Sequence, residues 1–346
     1  MPVKIAIAGV GNCAATFLQG LRYYSGSDFK GLWHPNLAGL KPKDIQVCAA
    51  FDVDSRKVGL ELSKAAFAPP NVAKKVVSLS KSRVTVSPGI SRGDAAPHLR
   101  GTKLERGAVD DVAKVLEDSG SEILLNLISS GSDSSSEGYA DAALKAGCGF
   151  INCTPSPIVR RSKQVADFQR AKLPLLGDDL MSQFGGTSFH KGLLGLMVKR
   201  GVKIAKSYQL DVGGGSETFN TVDETIKMAK RDIKTSSVAL EVPYKFETIA
   251  GTTDYVDYMG NDRTSYFWFV GNGFMNSPIT VDVYLRSTDG ANAGNILLDV
   301  IRAAYRTMKS GKLGTIPEIC AYGFKSPPKP MHFDEAYSKF AALYVR

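Results

Sequence analysis

The stretch VKIAIAGVGNCAATFLQGLRYY, residues 3–24, begins with an apolar run, turns at two glycines and continues with Ala14, Phe17, Leu18, Leu21 and Tyr24 at helical spacing. It reads as strand, glycine turn and helix. Within it Gly9-x-Gly11-x-x-Ala14 fits the dinucleotide fingerprint: the glycines permit a tight turn and close backbone approach, and the helix N-terminus faces a pyrophosphate. The next strand, IQVCAAF at 45–51, ends at Asp52, a carboxylate of the kind that accepts hydrogen bonds from an adenosine ribose and repels a 2′-phosphate. That favours NAD over NADP, with Arg56 and Lys57 nearby leaving NADP open. Asp52 lies farther from the glycines than the usual ~20 residues, so residues 25–44 must form an excursion.

Working outward, residues 75–107 are polar, basic and punctuated by Pro88, Gly89, Gly93 and Pro97, which suggests a surface excursion on the nucleotide domain. Alternation then resumes with strand-like 122–128, helix-like 138–147, and strand-like 148–153 and 173–177. Repeated β-α units of this kind imply a parallel sheet whose ligand lies beyond the carboxyl ends of the strands. Asn126, the turn Ser129–Ser132, Asn152, Thr154, Asp178 and Asp179 all fall at such ends. After about residue 190 the texture changes: KIAKSYQLDVGG, TSYFWFVGNGF and ITVDVYLRSTD read as longer strands, the last with Val281, Val283 and Leu285 on one face. Residues 291–311 return to helix, with Ile296, Leu297, Val300, Ile301, Ala304, Tyr305 and Met308 on one stripe and Gly311 as the stop. The expectation is an α/β chain: a Rossmann-like, doubly wound parallel sheet over 1–190, completed by 291–346. A second α+β domain over 191–290 carries a mixed or antiparallel sheet, the catalytic groups and the oligomer contacts.

A chain of 346 residues exceeds the usual size of one compact domain, in keeping with two lobes. No apolar run reaches the ~18 residues of a membrane span, and the start MPVKIAIAGVGN lacks the regions of a signal peptide, so the protein is expected in the cytoplasm. Cys13, Cys48, Cys148, Cys153 and Cys320 are scattered and never form a CxxC pair, which argues against a disulfide framework or zinc knuckle. The formal charge of +9 fits a nucleic acid, an anionic membrane or an anionic small substrate, and only the position of the charge decides. No aromatics interleave with the basic residues of 75–107 as in a single-strand groove, so neither nucleic acid nor membrane is expected as a partner.

Three segments carry chemistry. GDDLMSQFGGTSFHKG at 177–192 ends a strand in two adjacent carboxylates, either of which can also serve as a helix cap. GGGSETFNTVDETIKMAKRDIKTSS at 213–237 leads from a glycine turn into a helix whose Lys227, Lys230 and Lys234 share one face. Like charges at such spacings repel, and an anion would relieve them; a solvated basic face is the alternative. FKSPPKP at 324–330 sets Lys325 before two rigid prolines, which either hold the lysine over a pocket or end the fold.

Taken in order, GVGNCA, FDVD (51–54), AGCGFINCTP (146–155), GDDLMSQFGGT, the lysine helix, NAGNILLDVIRAA (292–304) and FKSPP resemble the myo-inositol-1-phosphate synthases, most closely the short prokaryotic type, from about residue 3 to 330. The resemblance implies that glucose 6-phosphate is oxidised at C5 by NAD, loses a proton at C6, closes by an intramolecular aldol step and is reduced again to myo-inositol 1(3)-phosphate. It implies Lys230 and Lys234 as a helical pair at the reacting carbons and Lys325 as the third lysine, with Asp178 or Asp179 orienting or relaying to one of them, Asp289 matching a late family aspartate across a one-residue gap, and Arg263 where many members have lysine. For the cofactor it implies Gly9, Gly11, Asn12, Cys13, Asp52, Ser129, Ser130, Thr154 and Asp178. Met181, Gly215, Glu217 and Ser130 also depart from the family pattern, where lysine, asparagine, aspartate and proline are usual. A divalent metal ion is left open, because only some members use one. A homotetramer through the second-domain sheet is implied, with strands such as 264–274 exposing edges. An ordinary NAD-dependent sugar-phosphate or hydroxy-acid dehydrogenase would share the first 150 residues or so and is the main rival; a non-catalytic nucleic-acid or sensory protein is the other.

Overall fold

The computed structural model describes residues 2–311 and 313–345. The first half runs β1 (Val3–Ala8), α1 (Asn12–Tyr23), β2 (Ile45–Asp52), α2 (Leu62–Ala65), β3 (Val86–Pro88), α3 (Val109–Asp118), β4 (Ile123–Asn126), α4 (Asp133–Lys145), β5 (Gly149–Asn152), α5 (Ser162–Arg170) and β6 (Leu175–Leu176). The six strands form one parallel sheet in the order β3-β2-β1-β4-β5-β6. Strand order reverses between β1 and β4, and the crevice at the carboxyl ends of those two strands is where such sheets bind ligands. A sheet covered on both faces needs apolar residues in both directions, which is why β1, β4 and β5 read as near-continuous apolar runs.

The second half runs α6 (Gly186–Lys199), β7 (Lys203–Gly213), α7 (Ser216–Phe219), α8 (Glu224–Ala239), β8 (Glu247–Tyr255), β9 (Asp262–Asn272), β10 (Pro278–Thr288), α9 (Asp289–Lys309), α10 (Pro317–Gly323) and α11 (Phe333–Tyr344). Its strands form a sheet ordered β10-β9-β7-β8, antiparallel except for the parallel pair β7–β8, and therefore mixed. Ile296, Leu297, Val300 and Ile301 of α9 pack on Ile5, Ile7 and Phe17, so the chain returns to the first sheet after building the second. On the opposite face Val112, Leu116 and Tyr139 of α3 and α4 cover Ala6, Phe51 and Phe150. A separate core joins Leu194 and Met197 of α6 to Ile204, Val238, Phe267 and Phe269, so a division at residue 190 would cut through α6.

Three readings of the sequence need correction. Residues 86–88 do not lie in a surface excursion: they pair in parallel with Ala50–Asp52 as the edge of the first sheet. Beyond them Asp94 accepts hydrogen bonds from the Ser135 amide and hydroxyl, supplying the first turn of α4 with the cap that Ser132 does not provide. Strand β8 was not foreseen, because ETIAGTTDY carries no strict apolar alternation. Strand β9 exposes no edge, being paired on both sides; the edges belong to β10 and β8. What the second sheet does expose is its outer face, where the rings of Tyr208, Tyr266, Trp268 and Tyr284 pack in tilted pairs at centroid distances of 4.9–5.8 Å and Leu210 and Ile249 are uncovered.

Candidate active site

Two connected cavities follow the carboxyl ends of the parallel strands, sharing Gly11, Leu127, Ile128, Ser129 and Ser216 in their walls. Gly9 is required where it stands: its φ is +91°, and a Cβ there would lie 2.7 Å from the Leu127 carbonyl. A Cβ on Gly11 would meet nothing within 4 Å, which leaves the backbone at the start of α1 open to a ligand. These features, with the α1 N-terminus behind them, fit a dinucleotide pyrophosphate.

Asp52 lies at the wall of the smaller cavity. Its carboxylate accepts the Val10 amide at 2.8 Å and the Val53 and Asp54 amides at 2.8 and 3.0 Å, so it also ties β2 to the glycine turn. Arg56 is committed to Asp54 by paired hydrogen bonds, and the Lys57 ammonium to the Val10 carbonyl and Asn71. Both cations thus already have partners within the protein.

The larger cavity, about 200 Å³, gathers residues from far apart in the chain. Asn12 and Cys13 come from α1, Ser129, Thr154 and Asp179 from the strand ends, Lys230 and Lys234 from α8, and Arg263, Asp289 and Lys325 from β9, α9 and the segment after α10. The cations are all paired. Lys230 Nζ donates to Glu217 at 2.6 Å, Lys234 Nζ to Asp211 at 2.8 Å and Lys325 Nζ to Asp179 at 2.6 Å, while Arg263 meets Asp289 at 3.0 Å. The expected repulsion between the helical lysines is therefore answered by carboxylates of the protein itself, which sequence reading did not locate. Lys227, a turn earlier, is partly exposed and lies 4.0 Å from Glu224. Lys234 is threaded past β8 at Gly251, where a Cβ would sit 2.0 Å from Lys234 Cδ. A glycine is needed there for the lysine to enter.

Charge states follow from burial and partners. Burial alone would raise Asp211, but the Lys234 and Arg263 cations and the hydrogen bonds from Lys234 and Ser265 hold its carboxyl well below the usual range. Glu217 is likewise opposed by burial yet held at about 2 by Lys230 and Ser130. Burial pushes the Lys234 ammonium below its ordinary value; Arg263 and Lys230 push the same way, and Asp211 resists them. The Cys13 thiol is pushed up to about 12, by burial first and then by Asp289 and Glu217, so it stands as a neutral thiol.

Adjacent Asp178 and Asp179 part company. Asp179 has φ +63°, a left-handed conformation that aspartate tolerates better than most residues, and Lys325 grips it from the cavity side. Asp178 turns inward: fully buried, it accepts Asn152 Nδ2 at 2.7 Å and the Val159 amide, and burial raises its carboxyl to about 8. It does not line either cavity, where a cofactor contact was expected of it. Ser130 also lies outside both linings, and gives its amide and hydroxyl to Glu217. These two departures from the family pattern thus touch one another, and a proline at 130 would offer no amide to Glu217.

Sequence reading also missed the start of α6. Gly185, Gly186 and Thr187 line the cavity at its N-terminus, and Thr187 Oγ1 is buried without a partner. Asn261 Nδ2 and Arg263 Nε, also in the cavity wall, are buried and unpartnered too. The signal available was GGT ahead of an apolar helix, the pattern of an anion seat at a helix start. Among the described residues there is no group of three or more His, Cys, Asp or Glu set to hold a metal ion, and no helix long and apolar enough to cross a membrane.

Comparison with known proteins agrees with this geometry. The family model for myo-inositol-1-phosphate synthase matches residues 185–290. The chain is 32% identical to the inositol-3-phosphate synthase of Corynebacterium glutamicum over 99% of its own length and 98% of the relative's. It is 31% identical to the inositol-3-phosphate synthase of Mycobacterium tuberculosis, covering 99% and 96%. Among solved structures, the crystal structure of Ari2 superposes with a TM-score of 0.80 at 30% identity, covering 99% of each chain.

Proposed function

The chain belongs to the myo-inositol-1-phosphate synthase family, and from that premise we propose that it converts glucose 6-phosphate to myo-inositol 1(3)-phosphate with NAD as a cofactor that is regenerated in each cycle. The observation that carries the reading is the convergence of Lys230, Lys234, Lys325 and Arg263 on one cavity continuous with the glycine-turn groove. Four cations around one small cavity suit a reaction in which negative charge appears first on one substrate oxygen and then on another.

The residues divide the work. Gly9, Gly11 and the start of α1 hold the dinucleotide, with Asp52 at the ribose end. NAD held by these residues would supply reversible hydride transfer at C5. The unpartnered Thr187 hydroxyl and the open start of α6 seat the phosphate, where helix N–H groups favour an anion. Lys230 and Lys234, one turn apart on α8, present N–H donors to the C5 oxygen as the C6 proton leaves and to the C1 oxygen as the ring closes. An ammonium is suited to both, because it stabilises the oxyanion and can give it a proton. Lys325, hydrogen-bonded to Asp179 and to the Leu180 carbonyl, is held as the third cation, and Asp289 fixes Arg263.

The free thiols fit a reducing cytoplasm, and the aromatic outer face of the second sheet fits burial against further copies, in a homotetramer. The deciding assay supplies glucose 6-phosphate with NAD far below substrate and examines the product. A phosphorylated cyclitol with no net NADH is expected. NADH accumulating in proportion to product would make the protein a dehydrogenase instead.

A further inference from the structure

Past Ile204, which is buried in the ordinary way, strand β7 turns its apolar residues Tyr208, Leu210 and Val212 away from the core. Ser207, Gln209 and Asp211 point inward toward α6 and α8, all nine-tenths buried or more, while Leu210 is exposed. A buried polar row is costly unless each group finds a partner. Here every one does. Thr248 Oγ1 lies 2.8 Å from Ser207 Oγ, Ser207 Oγ 2.9 Å from His190 Nε2, and His190 Nδ1 3.4 Å from Gln209 Oε1. Gln209 Nε2 then donates to both oxygens of Asp211, at 2.9 and 3.0 Å. Ser265 donates to Asp211 Oδ1 at 2.6 Å, and Lys234 to Oδ2 at 2.8 Å.

The directions can be assigned from donor and acceptor inventory. Gln209 spends its amide hydrogens on Asp211, so its carbonyl must accept from His190 Nδ1–H. The imidazole is then neutral, as its burial also requires, with Nε2 accepting the Ser207 hydroxyl proton and Ser207 accepting from Thr248. All bonds of the chain point toward one end, the Asp211 carboxylate.

We propose that Asp211 is a positioning residue for the reaction: the row Ser207–Gln209–Asp211, with His190 behind it, fixes a permanent counter-charge beneath Lys234 and keeps that ammonium charged and aimed into the cavity. This rests on the reading that Lys234 serves the reacting oxygens. The charged and titratable groups that face the pair are Arg263 from β9, His190 from α6 and Lys230 from α8 itself, with Asp289 of α9 on the far side of Arg263. Remove Asp211, and Lys234 is a buried cation between two others, so it gives up its proton at lower pH. The amine then lacks the charge the oxyanion needs.

The test is Asp211→Asn, which keeps the volume and removes the charge. We expect kcat for cyclitol phosphate to fall about 10²-fold at pH 8, KM to change by less than about threefold, and the alkaline limb of the kcat profile to move down by about one pH unit or more. Activity therefore recovers in part at lower pH, which a merely structural lesion does not predict. A loss of the same factor at every pH, or kcat within about threefold of the parent, overturns the proposal. The pairing is read separately, without substrate, from thermal unfolding of Asp211→Asn, Lys234→Met and the double variant. The double variant is expected to melt above both singles, and it decides the matter if D211N alone does not fold; additive losses overturn the pairing. If the parent makes no cyclitol phosphate while this cycle still shows coupling, the assigned reaction fails and the charge pair stands.

Discussion

Replacing Lys234 by methionine separates its part in the reaction from its part in the fold. For the reaction, loss of one donor opposite a transient oxyanion costs about 10² to 10³ in rate, with substrate affinity changed far less, because the charge it meets exists only in the transition state. For the fold, Asp211 keeps Ser265 and Gln209 but loses its cation at a fully buried position. Breaking a buried pair in this way costs about 3–5 kcal/mol. The two proteins should also respond oppositely to acid. In the parent, the Asp211 carboxyl is held below its unfolded value, so its contribution is present above the ordinary carboxylate pKa and is lost as pH falls through the folded one. With Lys234 gone, burial is opposed only by Arg263 and by the hydrogen bonds from Ser265 and Gln209, and the carboxyl is expected to rise above its unfolded value; the penalty is then full at high pH and is relieved as pH falls. The gap in Tm between parent and Lys234→Met should narrow from pH 8 to pH 5. Lys227→Met is the control: partly exposed and 4.0 Å from Glu224, it should shift stability by no more than about 0.5 kcal/mol. Turnover at saturating glucose 6-phosphate and melting curves at both pH values read the outcome. Equal, small rate losses in both variants would refute the catalytic role, and a Tm gap independent of pH would refute the electrostatics.

Asp52→Asn should weaken NAD binding and improve relative tolerance of NADP, since the carboxylate also anchors the Val10 amide of the glycine turn; unchanged titrations with both cofactors would remove that role. Asp178→Asn should leave NAD affinity within about twofold, because the side chain misses both cavities. With its folded pKa raised to about 8, Asp178 penalises the fold increasingly as pH rises from the ordinary carboxylate value through 8, so the variant's stability should fall less than the parent's over that range. A parent and variant with identical pH dependence of Tm would count against it. Tyr284→Glu on the outer sheet face should dissociate the expected tetramer, and light scattering of a parent already monomeric would dispose of the assembly.

The parts of this molecule legible in the sequence are those fixed by local spacing. The strand, glycine turn and helix at 3–24 announce themselves because Gly9 must adopt a positive φ against the Leu127 carbonyl and because the helix stripe begins at once. Lys230 and Lys234 are legible as one helix face. What closes the site is not local: Asp211 and Glu217 reach these lysines from strand β7 and the short helix α7, 23 and 13 residues away, and which of Asp178 and Asp179 enters the cavity depends on how a turn after β6 is twisted. Strand β7 shows why patterning can mislead even when the strand itself is found. Its segment SYQLDV alternates cleanly, and alternation alone would bury Tyr208, Leu210 and Val212 and leave Ser207, Gln209 and Asp211 in solvent. The structure does the reverse. A shift of pairing by one residue would exchange the two sets, so something must hold the inverted register. On the inside, His190, Ser265 and Lys234 give the polar row partners that water would otherwise supply. On the outside, Tyr208 packs with tilted rings against Tyr266 and Trp268 in a face left uncovered by the single chain. Burial of that apolar side against another copy, as proposed above, would stabilise the inverted register and leave the polar side to serve the reaction.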